Sequence, residues 1–308
     1  MRAAYLGPAG TNSHEALVAA GLAAENVSFP TVGAVVAAVQ EGAAELALVP
    51  IENSREGAVA ATLDALVFDA PDVRIVGELV HRVSYCLAAA DAIAPDEVRT
   101  VHSHPQATGQ CARFLAEQLP GAAVIAAAST AEAMRAVAGG EPLAGFTPHA
   151  AIGTQHAAAL YGAAVLAERI EDDAENATRF AWVAHAGSLG GGGDRADHGG
   201  LPATADHPAA PTADHPAAPT APIKTALVFW GGGDHAPGWL VDCLTEFSSR
   251  AISLTRIESR PRRVGLGSYM FFCDLEGAAE SAEIGAAIAG LRARCDSVRV
   301  LGSFPAAA

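Results

Sequence analysis

Four short segments place chemically capable side chains at the ends of apolar runs. Gly7-Pro8-Ala9-Gly10-Thr11-Asn12-Ser13 follows the run Ala3–Leu6. Its glycines and proline shape a tight loop, Thr11 or Ser13 can cap a helix, and the loop N–H groups are free to meet an anion. Val49-Pro50-Ile51-Glu52-Asn53-Ser54-Arg55-Glu56 clusters polar residues at a strand end, where they can hydrogen-bond a polar substrate or simply form a loop with Ser54 as a cap. In His102-Ser103-His104-Pro105-Gln106, Ser103 and Gln106 have capping-box spacing and Pro105 suits a first helical turn. Gln106 and Gln110 then share a helix face. Asn176-Ala177-Thr178-Arg179-Phe180 enters an apolar strand, and Arg179 is one of few cations available to a carboxylate.

Several chemistries are excluded. Lys224 is the one lysine among 19 Lys and Arg, so the first two hundred residues offer no Schiff base and no lysine phosphate loop. An anion site there must use arginine, backbone N–H groups and helix N-termini. The five cysteines are widely spaced without a CxxC pair, and His102 and His104 have no third ligand nearby, so neither disulfides nor a metal are expected. No cofactor motif is present.

These segments need a scaffold of 308 residues, 51% hydrophobic and 17% charged, with net charge −15. An acidic chain is a poor partner for nucleic acid or an anionic membrane. No apolar run is long enough to span a membrane, and the N-terminus enters a strand pattern directly, so a cytoplasmic location is expected. Residues 1–187 alternate apolar runs with helical patterns, for example Val32–Gln40, Gln106–Gln118 and Thr130–Ala138, predicting an α/β fold with mostly parallel sheets. Ligands of such sheets bind beyond the carboxyl ends of the strands. Residues 188–222 form a Gly/Pro/Ala/Asp stretch in which TADHPAAP occurs twice, read as a linker between two separately folded parts. Its His198, His207 and His215 raise weak metal binding, against a plain duplication of linker. Residues 223–308 read βαββαβ, the ferredoxin-like order.

GPAGTNSHEA, VPIENSREG, SHPQATGQC and NATRF, in this order, resemble the signature segments of the prephenate dehydratase family. APGWLVDCL, ISLTRIESRP and SYMFFCDLEG resemble the regulatory ACT domain that follows the catalytic domain in that family. The resemblance implies a two-lobed catalytic domain, like a periplasmic binding protein, with the site in its cleft. It implies decarboxylating dehydration of prephenate to phenylpyruvate in phenylalanine biosynthesis, without a cofactor. The implied catalytic residues are Thr178, Arg179 and Glu52. Gly10, Thr11, Asn53, Ser54, Ser103, Gln106 and Gln110 would contact substrate. Phenylalanine would act as effector at Pro237, Gly238, Trp239, Leu240, Glu258, Ser259, Arg260 and Pro261, in an assembly of at least two copies. Asn12 stands where the family usually has an aromatic residue, and Trp239 where a small one is usual. Arogenate dehydration and non-catalytic solute binding are the alternative readings.

Overall fold

The computed structural model describes residues 1–22, 24–188 and 221–307. The first lobe contains β1 (Arg2–Leu6), α1 (Asn12–Ala19), β2 (Glu25–Phe29), α2 (Val32–Gln40), β3 (Leu46–Asn53), the short β4 (Gly57–Ala58), α3 (Ala60–Asp64) and β5 (Val73–Arg82). The second contains β6 (Cys86–Ala89), β7 (Thr100–Ser103), α4 (Pro105–Gln110), α5 (Ala112–Gln118), β8 (Ala123–Ala126), α6 (Thr130–Ala138), β9 (His149–Gly153), α7 (Gln155–Tyr161) and β10 (Ala164–Glu168). The chain then returns to the first sheet as β11 (Ala177–His185), giving the order β2-β1-β3-β11-β5 beside β10-β6-β9-β7-β8.

The expectation of mostly parallel sheets is corrected. β1 pairs in parallel with β2 and β3, and β7 with β8 and β9. β11 runs antiparallel to both β3 and β5, and β6 antiparallel to β9 and β10. The reversals fall on the strands that enter or re-enter a lobe. Their consequence is functional: the N-terminal end of β11 lies beside the C-terminal end of β3, with Thr178 opposite Asn53.

β2, β9 and β10 carry no clear strand signal. ENVSF is largely polar and exposed, while HAAIG and AVLAE are rich in alanine, a helix former. The single helix expected over Gln106–Gln118 breaks at Cys111, whose φ of −117° and ψ of 22° leave helical geometry.

Residues 223–305 form β12 (Ile223–Trp230), α8 (Trp239–Ser248), β13 (Leu254–Pro261), β14 (Tyr269–Glu276), α9 (Ala282–Arg292) and β15 (Ser297–Pro305). The antiparallel sheet has the order β13-β14-β12-β15, with Phe229, Phe247, Ile288 and Leu291 in a core between sheet and helices. Its other face is not free. Val228, Met270, Phe272 and Leu301 join one continuous apolar cluster with Val35, Val39, Val73 and Ile75 of the first lobe. A Cβ on Gly302 would collide with the Ile75 carbonyl, so glycine permits the close approach of β15 to β5. The two parts therefore pack through a shared apolar cluster, while the C-terminal unit keeps a core of its own. The repeat-bearing stretch lies, apart from its ends, outside the described residues.

Candidate functional site

The lobes enclose a cleft of about 420 Å³. Its first-lobe wall comes from the loop after β1 and the ends of β3 and β11, through Thr11, Asn12, Ser13, Asn53, Thr178 and Phe180. The second-lobe wall comes from α4 and the first turn of α6, through His104, Gln106, Gln110, Ser129 and Thr130. Val83 and Tyr85, on the segment joining the lobes, complete it. This position beyond the strand ends agrees with the rule for α/β sheets.

Capping sets the helix entrances. Thr11 caps α1 and Ser129 caps α6, each hydroxyl accepting an amide hydrogen bond three residues on. A helix leaves its first N–H groups without intrahelical partners, and its dipole makes that end positive. Two such ends thus border the cleft. No arginine or lysine lines it among the described residues. Its capacity to hold an anion rests on neutral donors and helix termini.

Four side chains form a hydrogen-bonded chain across the cleft floor. Asn176 Nδ2 donates to Gln110 Oε1 at 2.9 Å. Asn53 Nδ2 donates to Asn176 Oδ1 at 3.1 Å and to Thr178 Oγ1 at 3.0 Å. Asn53 Oδ1 accepts from the amides of Arg55 and Glu56, which fixes the orientation of its carboxamide. Thr178 is buried, and its oxygen receives the Asn53 hydrogen bond. Its own hydrogen has no acceptor among the described residues and is available to a cleft ligand. Among those residues no imidazole or carboxylate hydrogen-bonds to it, so no neighbouring base is placed to deprotonate the hydroxyl.

Strand alternation sends Arg179 the other way. It meets Glu52 at 3.1 Å, Glu78 at 3.0 Å and Asp274 of β14 at 2.7 Å. Burial acts to lower the Arg179 pKa, but Asp274 and Glu78 raise it further. Arg179 and Glu52 are not among the residues lining this cleft, and their ion pairs fit the second of two roles open to Arg179, a structural salt bridge that orients the strand rather than a ligand to a substrate carboxylate. Expected substrate contacts divide as well. Thr11, Asn53, Gln106 and Gln110 line the cleft, whereas Gly10, Ser54 and Ser103 do not. Gly10 has φ +88° and lies against Ala157 and Tyr161 of α7, where it serves the contact between lobes. Ser54 Oγ accepts from the Ala177 amide and bridges the strand ends, rather than capping a helix. Ser103 Oγ donates to the Ile152 carbonyl, and His104 takes over as the cap of α4.

Asn176, Tyr85, Ser129 and Thr130 were outside the sequence-based candidates. Ser129 and Glu132 have capping-box spacing, a signal that was readable; Tyr85 carries none. Among the described residues no group of three His, Cys, Asp or Glu is assembled.

Of the eight candidate effector residues, Gly238, Trp239 and Leu240 line a pocket of about 220 Å³ with Tyr269 and Phe271. Trp239 is buried against Phe229 and Phe271, and its indole N–H donates to the Arg294 carbonyl at 3.1 Å. Its ring thus forms a pocket wall. Pro237, Glu258, Ser259, Arg260 and Pro261 are not in that lining. Arg260 turns to Asp64 of the first lobe with two hydrogen bonds of 3.1 and 2.9 Å.

Fold and cleft together define a two-lobed α/β protein whose cleft is lined by neutral polar groups and helix termini and whose first lobe carries a further packed sheet. Residues 3–188 match the family profile of prephenate dehydratase. A prephenate dehydratase of Mycolicibacterium vanbaalenii is 37% identical over 98% of this chain and 90% of its own, and one of Amycolatopsis methanolica is 37% identical over 98% and 88%. The crystal structure of prephenate dehydratase from Arthrobacter aurescens in complex with L-Phe superposes with a TM-score of 0.80 at 32% identity, covering 100% of this chain and 90% of that one. A quorum-quenching acylase, GqqA, superposes with a TM-score of 0.78 at 26% identity, covering 99% and 98%. The chain belongs to the prephenate dehydratase family.

Proposed function

We propose that the cleft converts prephenate to phenylpyruvate. The observation that carries this reading is Thr178, a buried hydroxyl at the cleft floor whose oxygen accepts from Asn53 at 3.0 Å and whose hydrogen remains for a ligand. Prephenate carries two carboxylates and a ring hydroxyl. As the C–CO₂ bond breaks, its electron pair enters the ring, the C–OH bond breaks, and the departing oxygen takes a proton to leave as water. Aromatisation supplies the driving force. The protein must hold the dianion and polarise the leaving group, which is positioning and electrostatics. Thr178 donates to the leaving oxygen, and the Asn53 bond strengthens it as a donor. Helix termini and the Gln106 and Gln110 amides serve the carboxylates.

The C-terminal βαββαβ unit is, in this reading, a ferredoxin-like ACT domain that binds phenylalanine at Gly238, Trp239 and Leu240. The pocket beside them and the L-Phe complex of the Arthrobacter relative support it. Phenylalanine lowers activity by preferring the less active state, since equal affinity for both would shift nothing. ACT domains commonly pair, which supports an assembly of at least two copies; this reading also takes the enzyme to be cytoplasmic.

The test is prephenate turnover by Thr178→Val, which keeps the shape and removes the hydroxyl. Loss of a donor used mainly in the transition state costs ~2.7–4 kcal/mol, or about 100- to 1000-fold in kcat. Near-normal kcat would refute the assignment. A response of initial rate to phenylalanine in the full chain tests the regulatory part.

A further inference from the structure

Resting on the dehydratase reading, we propose that Asn176 is a positioning residue for substrate binding: it holds the Gln110 carboxamide with its N–H end toward the cleft. A carboxamide has a donor end and an acceptor end of nearly equal shape, so its neighbours decide which end faces where. At Asn53 the main chain decides. Oδ1 accepts from the Arg55 and Glu56 amides at 3.0 and 3.1 Å, and Nδ2 donates to the Ala177 carbonyl at 3.2 Å. Nδ2 is therefore the end that reaches Asn176, 3.1 Å away, and the atom it meets there must be the acceptor, Oδ1. Ser54 sets the same polarity independently. Its Oγ accepts from the Ala177 amide at 3.0 Å, which leaves its hydrogen for Asn176 Oδ1 at 3.4 Å.

With Oδ1 held, Asn176 offers Nδ2 on its other side, and it donates to Gln110 Oε1 at 2.9 Å. Turning Gln110 over would set two N–H groups against each other. Asn176 is 1% exposed, so that clash would leave a buried donor unsatisfied. Gln110 lines the cleft, and its Nε2 is not closed to solvent and has no acceptor among the described residues. The polarity thus runs from the main chain after β3 through Asn53 and Asn176 and ends at Gln110 on a donor. Asn176 is itself outside the cleft lining and acts through Gln110. Such an end suits the proposed substrate. The polar atoms of prephenate belong to two carboxylates, a keto group and a hydroxyl. Apart from the hydroxyl proton they are acceptors, wherever each lies in the cleft. The lining contains no arginine or lysine among the described residues, so donors held in place by their neighbours carry the recognition of charge.

The test is kcat and KM for prephenate with the full chain as wild type, Asn176→Asp, Asn176→Ala, Gln110→Leu and the two double variants, each checked for an unchanged circular dichroism spectrum. Asn176→Asp keeps the size and the acceptor that Asn53 and Ser54 use, but it can only accept, so Gln110 should turn its N–H end away from the cleft. KM should rise about tenfold or more, the scale of one lost hydrogen bond to a charged group. The change in kcat should be several-fold smaller, because the main chain still pins Asn53. Asn176→Ala and Gln110→Leu should raise KM in the same sense. Adding either Asn176 substitution to Gln110→Leu should raise KM by no more than about twofold further. The double variants separate orientation from charge, since the charge of Asn176→Asp opposes the dianion with or without Gln110. KM within about twofold of wild type in folded Asn176→Asp, or an equal effect of that substitution with and without the Gln110 side chain, would overturn the inference while leaving the dehydratase reading in place. Should Asn176→Asp not fold, an unchanged KM in Asn176→Ala would overturn it equally. A wild type without prephenate turnover removes the dehydratase reading and this inference with it.

Discussion

Arg179 Nη2 lies 2.7 Å from Asp274 Oδ2, and this contact joins the strand that carries Thr178 to the central region of the C-terminal sheet. Arg179 is 13% exposed and Asp274 1%, so water screens the pair little. Arg256 holds the same carboxylate through bonds of 2.9 and 3.0 Å, while Glu78 is shared between Arg179 and Lys224. Thr178 and Arg179 are consecutive, one facing the cleft and the other this network. A shift of β14 would therefore be transmitted through Arg179 to the strand that carries Thr178. β14 also supplies Tyr269 and Phe271 to the pocket proposed for phenylalanine.

Asp274→Asn should lower the melting temperature by several degrees and weaken phenylalanine inhibition. Removing one partner of a buried ionic network leaves the remaining charges uncompensated, at a typical cost of about 3–5 kcal/mol. Burial alone would raise the Asp274 pKa; Arg256 and Arg179 outweigh it and hold the carboxyl below its usual range. The stabilisation is thus present above the unfolded carboxyl pKa and lost as pH falls below it. A variant with wild-type stability and an unaltered inhibition curve would show that the network does not couple the parts.

Asn53→Asp should reduce kcat far more than it raises KM. The substitution keeps size but replaces the Nδ2 donor that serves Thr178 and Asn176 with a second acceptor. Thr178 would then donate toward the introduced carboxylate instead of the ligand. A loss of roughly 100-fold in kcat is expected, as for other single preorganised donors. An increase confined to KM would assign Asn53 to ground-state binding instead.

Much of the site was legible in the sequence. Thr178, Asn53, Thr11, Gln106 and Gln110 line one cleft, because the start of β11, the end of β3, the loop after β1 and α4 meet there. What spacing alone could not supply was the identity of the surroundings. Spacing leaves Arg179 open between a carboxylate ligand and a structural salt bridge, because the partners that neutralise it, Glu78 and Asp274, lie 101 and 95 residues away. Ser103 had the spacing of a cap, yet the Ile152 carbonyl of β9 claimed its hydroxyl. β9 and β10 were hidden for a related reason: alanine-rich strands held by tertiary packing read locally as helix.

Acid should loosen the contact between the lobes before it affects the carboxylate network. His14 of α1 accepts the Gly10 amide at Nδ1 and lies 3.0 Å from His156 Nε2 of α7. Burial, then the neighbouring His156, lowers the His14 pKa; Glu15 acts weakly in the opposite sense. A depressed histidine pKa means that the unfolded state takes up the proton first. Stability is full above the unfolded value of ~6.5 and falls as pH drops below it. His102, lowered by burial and by His149, adds to the same window. The melting temperature should decline between about pH 7 and 5, and His14→Gln, which retains an acceptor, should flatten part of that slope. An equal slope in variant and wild type would remove His14 as a contributor.

A chain truncated after Ala221 should be unstable, whereas a catalytic part separated by a simple linker would fold alone. Truncation strips Val228, Met270, Phe272 and Leu301 from the apolar cluster they share with Val73 and Ile75. It also removes Asp274 from Arg179, and Arg260 and Arg263 from Asp64. Burial of several large apolar side chains is worth ~1.5–3 kcal/mol each, so the loss is comparable with the whole stability of a typical domain. The exposed cluster would form an apolar patch prone to association. Size-exclusion chromatography and thermal melts of the truncated and full chains measure this directly. A monodisperse truncated protein with an unchanged melting temperature and full prephenate turnover would mean that the shared core contributes little and that the C-terminal unit serves regulation alone.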